Sequence, residues 1–101
     1  MPERREHVRI VGPFEGHWHG GSGATECRIT DISLGGCFVE TILQPQRGEA
    51  TEVSVRFHDG TTMTLAGHVV YTDSGVGFGV AFRRLTDEEV EALRKHLDLP
   101  P

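Results

Sequence analysis

The chain has 101 residues, 37% of them hydrophobic and 25% charged, with a formal net charge of −5. These values suit one folded domain, leave little room for a large catalytic cavity beside a core, and exclude a disordered polymer. The acidic balance argues against a general DNA or RNA binder, which needs a basic face to neutralise many phosphates.

In chain order, Arg4, Arg5 and Arg9 concentrate positive charge in the opening segment, so a small anionic ligand stays open. Residues 1–12 are read as a flexible, arginine-bearing arm. The opening MPERREHVRI lacks the apolar core of a signal peptide, and no apolar run approaches the roughly 20 residues of a membrane-spanning helix. The expectation is a cytoplasmic protein with no membrane insertion, and Cys27 and Cys37 fit that compartment as reduced thiols.

The stretch from Gly12 to Thr25 is glycine-rich, shows no alternation, and is read as a loop. Strand signals follow at Cys27, Ile29 and Ile32, then from Cys37 to Ile42, with Gly35 and Gly36 in the turn of a hairpin. Val53, Val55 and Phe57 alternate with Glu52, Ser54 and Arg56, and Asp59-Gly60 marks a tight turn. The next strand runs through Met63 and Leu65 to Val69 and Tyr71, with Gly67 read as a bulge or bend. Val76, Phe78, Val80 and Phe82 then alternate with small residues.

The period changes at the end. Thr86 with Glu89 reads as a capping box, and Val90, Leu93 and Leu97 repeat at helical spacing, which predicts a helix over 86–97. Five or six short strands over 24–84, closed by one helix, predict an all-β fold: a small antiparallel barrel in a single domain spanning 1–101.

Two segments carry the chemistry. Arg5-Glu-His-Val-Arg9 has the form RxxxR, and Asp31-Ile-Ser-Leu-Gly-Gly36 has the form DxSxxG, with Asp31 22 positions after Arg9. Together, and in this order, they resemble the PilZ domain family. The resemblance implies a six-stranded antiparallel β-barrel with a C-terminal α-helix, no cofactor, and cyclic di-GMP as ligand. It assigns the site to Arg4, Arg5, Arg9, Asp31, Ser33, Gly35 and Gly36, with the arginine at position 4 leaning toward a stacked pair of ligands.

The residue types make independent chemical sense. An arginine fork matches guanine O6 and N7 or a phosphate, and it stacks on a base. Ionised Asp31 only accepts, so it suits the hydrogens on guanine N1 and N2. Ser33 adds a small donor and acceptor, and Gly36 lets backbone approach a flat ring. Taken alone, Asp31 to Gly36 is an ordinary hairpin turn.

The leading reading is a non-enzymatic receptor that relays cyclic di-GMP occupancy to an unidentified protein partner by ordering its arm. Its alternative is a ligand-independent interaction adaptor of the same fold. A small metalloenzyme built on His17, His19 and a cysteine is the third. No CxxC or HExxH spacing supports it, and Trp18 between the histidines is read as covering a barrel end.

Overall fold

The computed structural model describes residues 8–99. Six strands, β1 (Ile10–Gly20), β2 (Gly23–Ile32), β3 (Gly36–Glu40), β4 (Ala50–Arg56), β5 (Thr62–Asp73) and β6 (Gly77–Phe82), precede one helix, α1 (Asp87–Leu97). All strand pairs are antiparallel, and the order β1-β2-β3-β6-β5-β4 closes on itself, so this wall has no open edge. The fold is the six-stranded antiparallel barrel with a C-terminal helix that the sequence predicts.

The core follows from alternation. Val53 and Val55 of β4, Leu65 and Val69 of β5, and Phe78 and Val80 of β6 point inward and are 3% exposed or less. Leu93 and Leu97 of α1 join this core. Thr86 accepts from the Glu89 amide while the Glu89 side chain accepts from the Thr86 amide, closing the capping box. At the other end Asp98 takes the left-handed conformation, with φ of 56°. The Asp59-Gly60 turn holds Phe57 to Thr61, and Gly60 supplies a φ of +90° that other residues rarely adopt.

Two expectations are corrected. The stretch read as a loop from Gly12 to Thr25 is most of β1 and the start of β2, so the barrel begins at Ile10 and not at residue 24. Residues 10–12 of the expected arm belong to that first strand. The inward positions of β1 are Phe14, Gly16 and Trp18. A Cβ on Gly16 would lie 2.9 Å from the Ser54 carbonyl and 3.0 Å from Ile29 Cγ1. The period of two is therefore present, but its middle inward position is a glycine, which a hydrophobicity pattern does not register.

The second correction concerns Trp18, which is fully buried and lies edge-on to Phe78 at 5.2 Å. It is core, not a cover over the barrel end. Among the described residues its indole N–H has no acceptor.

Irregularities are confined to part of the wall. Register shifts occur between Val11 and Phe14 of β1, between Ile29 and Asp31 of β2, and between Val69 and Tyr71 of β5. The pairs β1–β4, β4–β5 and β3–β6 keep continuous register. Gly67, read as a bulge or bend, pairs in register with Thr51 and Phe82, and a Cβ there would collide with the Ala81 carbonyl. Close backbone approach requires that glycine, and the bulge lies at Val70.

Candidate functional site

Asp31 sits near the end of β2, paired with Val11 on one side and Phe38 on the other. In a regular strand, residues 29 and 31 share one face, and Ile29 is fully buried in the core. Ile29 and Ile32 both face inward although they are three residues apart, which one extra residue at Thr30 makes possible. The same extra residue turns Asp31 outward, where its side chain is 27% exposed. Without this bulge the carboxylate would point into an apolar core.

Arg9 lies just ahead of β1 and brings Nη2 to 3.7 Å from Asp31 Oδ1. That is an ion pair but too long for a hydrogen bond, and with Arg9 46% exposed it is screened by water. Among the described residues the Asp31 carboxylate accepts no hydrogen bond. Both groups thus keep their bonding capacity.

The turn after Asp31 is built differently. The Ser33 amide donates to the Gly36 carbonyl at 2.8 Å, and Ser33 Oγ accepts from the Gly35 amide at 3.1 Å. The Phe82 amide donates to the Gly35 carbonyl at 2.9 Å, tying the turn to the end of β6. Ser33 is nearly buried, so its hydroxyl shapes the turn. At Gly36 a Cβ would collide with the Val80 carbonyl, so the close passage of β6 demands a glycine there. Arg9, Asp31, Ser33, Gly35 and Gly36 are therefore gathered at one end of the β2–β3 hairpin. Arg4 and Arg5 lie outside the described residues.

Several neighbours of the site are not apparent in the sequence. The outer face carries one continuous cross-strand row, Val11–Asp31–Phe38–Gly79–Tyr71. The spacing of Ile29 and Ile32 is the available signal, since it marks a bulge and reverses the facing of Asp31. Beside the turn, a cleft of about 420 Å³ is bordered by Leu34, Gly35, Arg84 and Arg94, among others. Arg83 also lines it but is held by Glu89 at 3.4 Å. Helix folding brings Arg94 there, and no local pattern announces it.

The metal reading finds no geometry. His17 and His19 share the outer face of β1, where His17 bonds Glu26 at 3.1 Å, while Cys27 and Cys37 point into the core. Among the described residues no group of three or more His, Cys, Asp or Glu could hold a metal ion. Burial pushes the Cys27 thiol up to about 11, and Cys37 higher still, so neither is a ready nucleophile at neutral pH. No helix among the described residues is long and apolar enough to cross a membrane.

The family model described as "PilZ domain" matches residues 3–99. No curated protein matches the chain in sequence at a significant level. Among solved structures, the Bacillus subtilis inhibitor of motility MotI/DgrA superimposes with a TM-score of 0.71 at 19% identity, covering 96% of this chain and 50% of the other. Escherichia coli YcgR in complex with c-di-GMP gives 0.78 at 16% identity, covering 92% and 44%. The Borreliella burgdorferi PlzA protein in complex with c-di-GMP gives 0.70 at 17% identity, covering 93% and 41%. The chain thus spans about half the length of these proteins or less. At such identities the likeness speaks to the fold.

Proposed function

This chain belongs to the PilZ domain family, and on that premise we propose that it is a receptor for cyclic di-GMP that passes ligand occupancy to a protein partner. The observation that carries the reading is the outward-turned Asp31 carboxylate, without hydrogen bonds among the described residues and 3.7 Å from Arg9. A strand that inserts a residue and brings out a carboxylate beside an arginine invests structure in a site. Two solved proteins of the same fold, YcgR and PlzA, are complexes with c-di-GMP.

In this reading Asp31 accepts from guanine N1 and N2, and Arg9 exchanges its loose ion pair for the guanine Hoogsteen edge or a phosphate. Ser33, Gly35 and Gly36 fix the turn on which the base edge rests. Arg5, four residues ahead of Arg9, supplies the second fork, and Arg4 favours a stacked pair of ligands over one. Titration calorimetry with cyclic di-GMP tests the reading, and it also returns the number of ligands bound. Saturable heat is expected; its absence up to millimolar ligand would leave the fold as a ligand-independent adaptor.

Relay follows from the position of the arginines. Arg4 and Arg5 precede β1, so binding through them orders the segment ahead of the barrel and offers a partner a new surface. Backbone order parameters from NMR relaxation should rise over residues 1–8 on saturation with cyclic di-GMP. Unchanged values would move the relay to another surface.

A further inference from the structure

The cleft of about 420 Å³ beside the turn after Asp31 lies between that turn, the segment joining β6 to α1, and α1 itself. Leu34, Leu85 and Val90 give it apolar walls, its charged lining is arginine alone, and no carboxylate borders it among the described residues. Arg83 is already committed: it donates to the Arg84 carbonyl at 2.8 Å and meets Glu89 at 3.4 Å. Arg84 and Arg94 make no ion pair among the described residues, although acidic side chains outnumber Lys and Arg by 15 to 10 along the chain.

α1 adds a second observation. Val90, Leu93 and Leu97 form one helical stripe, but only Leu93 and Leu97 are buried in the core. Val90 stays half-buried, lies outside the core cluster and lines the cleft. Arg94, four residues on, is its neighbour on the helix surface and lines the same cleft. The helix thus turns an apolar group and a guanidinium without an ion pair toward one opening.

We propose that this cleft docks a short acidic segment of the protein partner, with an apolar side chain seated against Leu34, Leu85 and Val90 and flanking carboxylates paired to Arg84 and Arg94. The planar guanidinium fork matches a carboxylate bidentately, and an apolar anchor in a pocket supplies the desolvated centre of such an interface. A nucleic acid fits poorly, because the net charge is −5 and Asp87 and Glu88 open the adjacent helix. Only the coupling of this partner to cyclic di-GMP rests on the receptor reading of the neighbouring turn. Leu34 and Gly35 belong to both turn and cleft, and the Gly35 carbonyl accepts from the Phe82 amide at 2.9 Å, just ahead of Arg83 and Arg84. A ligand that settles the turn therefore sets one wall of the cleft, and a docked segment changes ligand affinity by the same factor.

The test selects short random peptides displayed on phage against the full chain, then measures the selected sequences as fluorescein-labelled peptides by anisotropy, with and without saturating cyclic di-GMP. The selected sequences should share an apolar residue flanked by Asp or Glu. Binding should weaken about tenfold in Arg94→Gln and several-fold in Arg84→Gln and Val90→Gln. It should not change in Arg56→Gln, which removes an exposed arginine of β4 that does not line the cleft. Cyclic di-GMP should tighten wild-type peptide binding several-fold, and thermal melting checks that each variant is folded. Failure to select peptides, selected peptides without acidic bias, or binding insensitive to Arg94→Gln would overturn the docking cleft, while direct titration with cyclic di-GMP decides the receptor reading separately. A tenfold loss of cyclic di-GMP affinity in Arg94→Gln would assign the cleft to the ligand and overturn docking as well. Peptide binding that depends on Arg94 in a chain that binds no cyclic di-GMP would support the docking cleft and overturn the receptor reading alone.

Discussion

The wall of the barrel has two halves built to different rules. Around β1 and β4 the outer side chains satisfy one another: His17 bonds Glu26 at 3.1 Å and Ser54 bonds Thr64 of β5 at 2.8 Å, along the continuous register of β1–β4 and β4–β5. Around β2, β3, β6 and the far end of β5 the strands carry bulges at Thr30 and Val70. Glycines lie under rings there, and Asp31 touches only a loose Arg9 partner among the described residues. The regular half closes the barrel. The irregular half keeps polar and aromatic groups available, which is what a binding surface requires.

The contrast breaks most sharply at glycine. Gly36→Ala should destabilise the protein by about 1–3 kcal/mol, because its Cβ would collide with the Val80 backbone and neither strand can yield freely. Gly21→Ala, in the β1–β2 turn, should change stability little, since its nearest neighbour would be 3.8 Å away. Denaturant midpoints at equal m-value decide this. Equal losses at the two glycines would mean that the close passage of β6 does not require Gly36.

Arg9→Ala sharpens the comparison from the side of function. It should weaken cyclic di-GMP binding about tenfold, since a charge-assisted hydrogen bond contributes about 1.5–3 kcal/mol. The melting temperature should hardly move, because the 3.7 Å pair with Asp31 is exposed and screened. A large drop in melting temperature would make Arg9 a structural residue.

Legibility in the sequence divides along the same line. The β4 alternation of Val53 and Val55, the Asp59-Gly60 turn and the Thr86–Glu89 capping box obey local rules, and the structure contains each. β1 is hidden because Gly16 takes an inward position and because Gly12-Pro13 interrupts the register near its start. The site motifs are readable as residue types, but their facing is not, since a bulge reverses alternation and leaves only the odd spacing of two buried isoleucines as a trace. Gly36 reads as room for a ligand in the sequence, whereas the structure traces its need to β6. Phe38 and Tyr71 look like ordinary strand residues there, because their meeting depends on register across β6.

A smaller effect belongs to the regular end of the barrel. Glu49 accepts from the Ser22 amide at 2.7 Å, the Ser22 hydroxyl at 2.8 Å and the Gln46 amide at 3.1 Å, clamping the β1–β2 turn to the segment before β4. Slight burial pushes its carboxyl up, but these bonds together outweigh that and hold it below its ordinary value of 4.5. A lowered folded value means that the clamp's stabilisation is complete above about 4.5 and is lost as pH falls through the lower folded value. Glu49→Gln should flatten this acid limb of the stability curve without altering ligand binding at neutral pH. An unchanged limb would assign the acid sensitivity elsewhere.

The most direct test of the central claim is a side-by-side calorimetric titration with cyclic di-GMP and cyclic di-AMP. Guanine offers Asp31 the N1 and N2 hydrogens, whereas adenine would leave the carboxylate unpaired at a cost of about 1–3 kcal/mol. Base selection by Asp31 predicts saturable binding of cyclic di-GMP and at least about tenfold weaker binding of cyclic di-AMP, with the gap narrowed in Asp31→Ala. Equal affinities for the two dinucleotides in the wild type would contradict it.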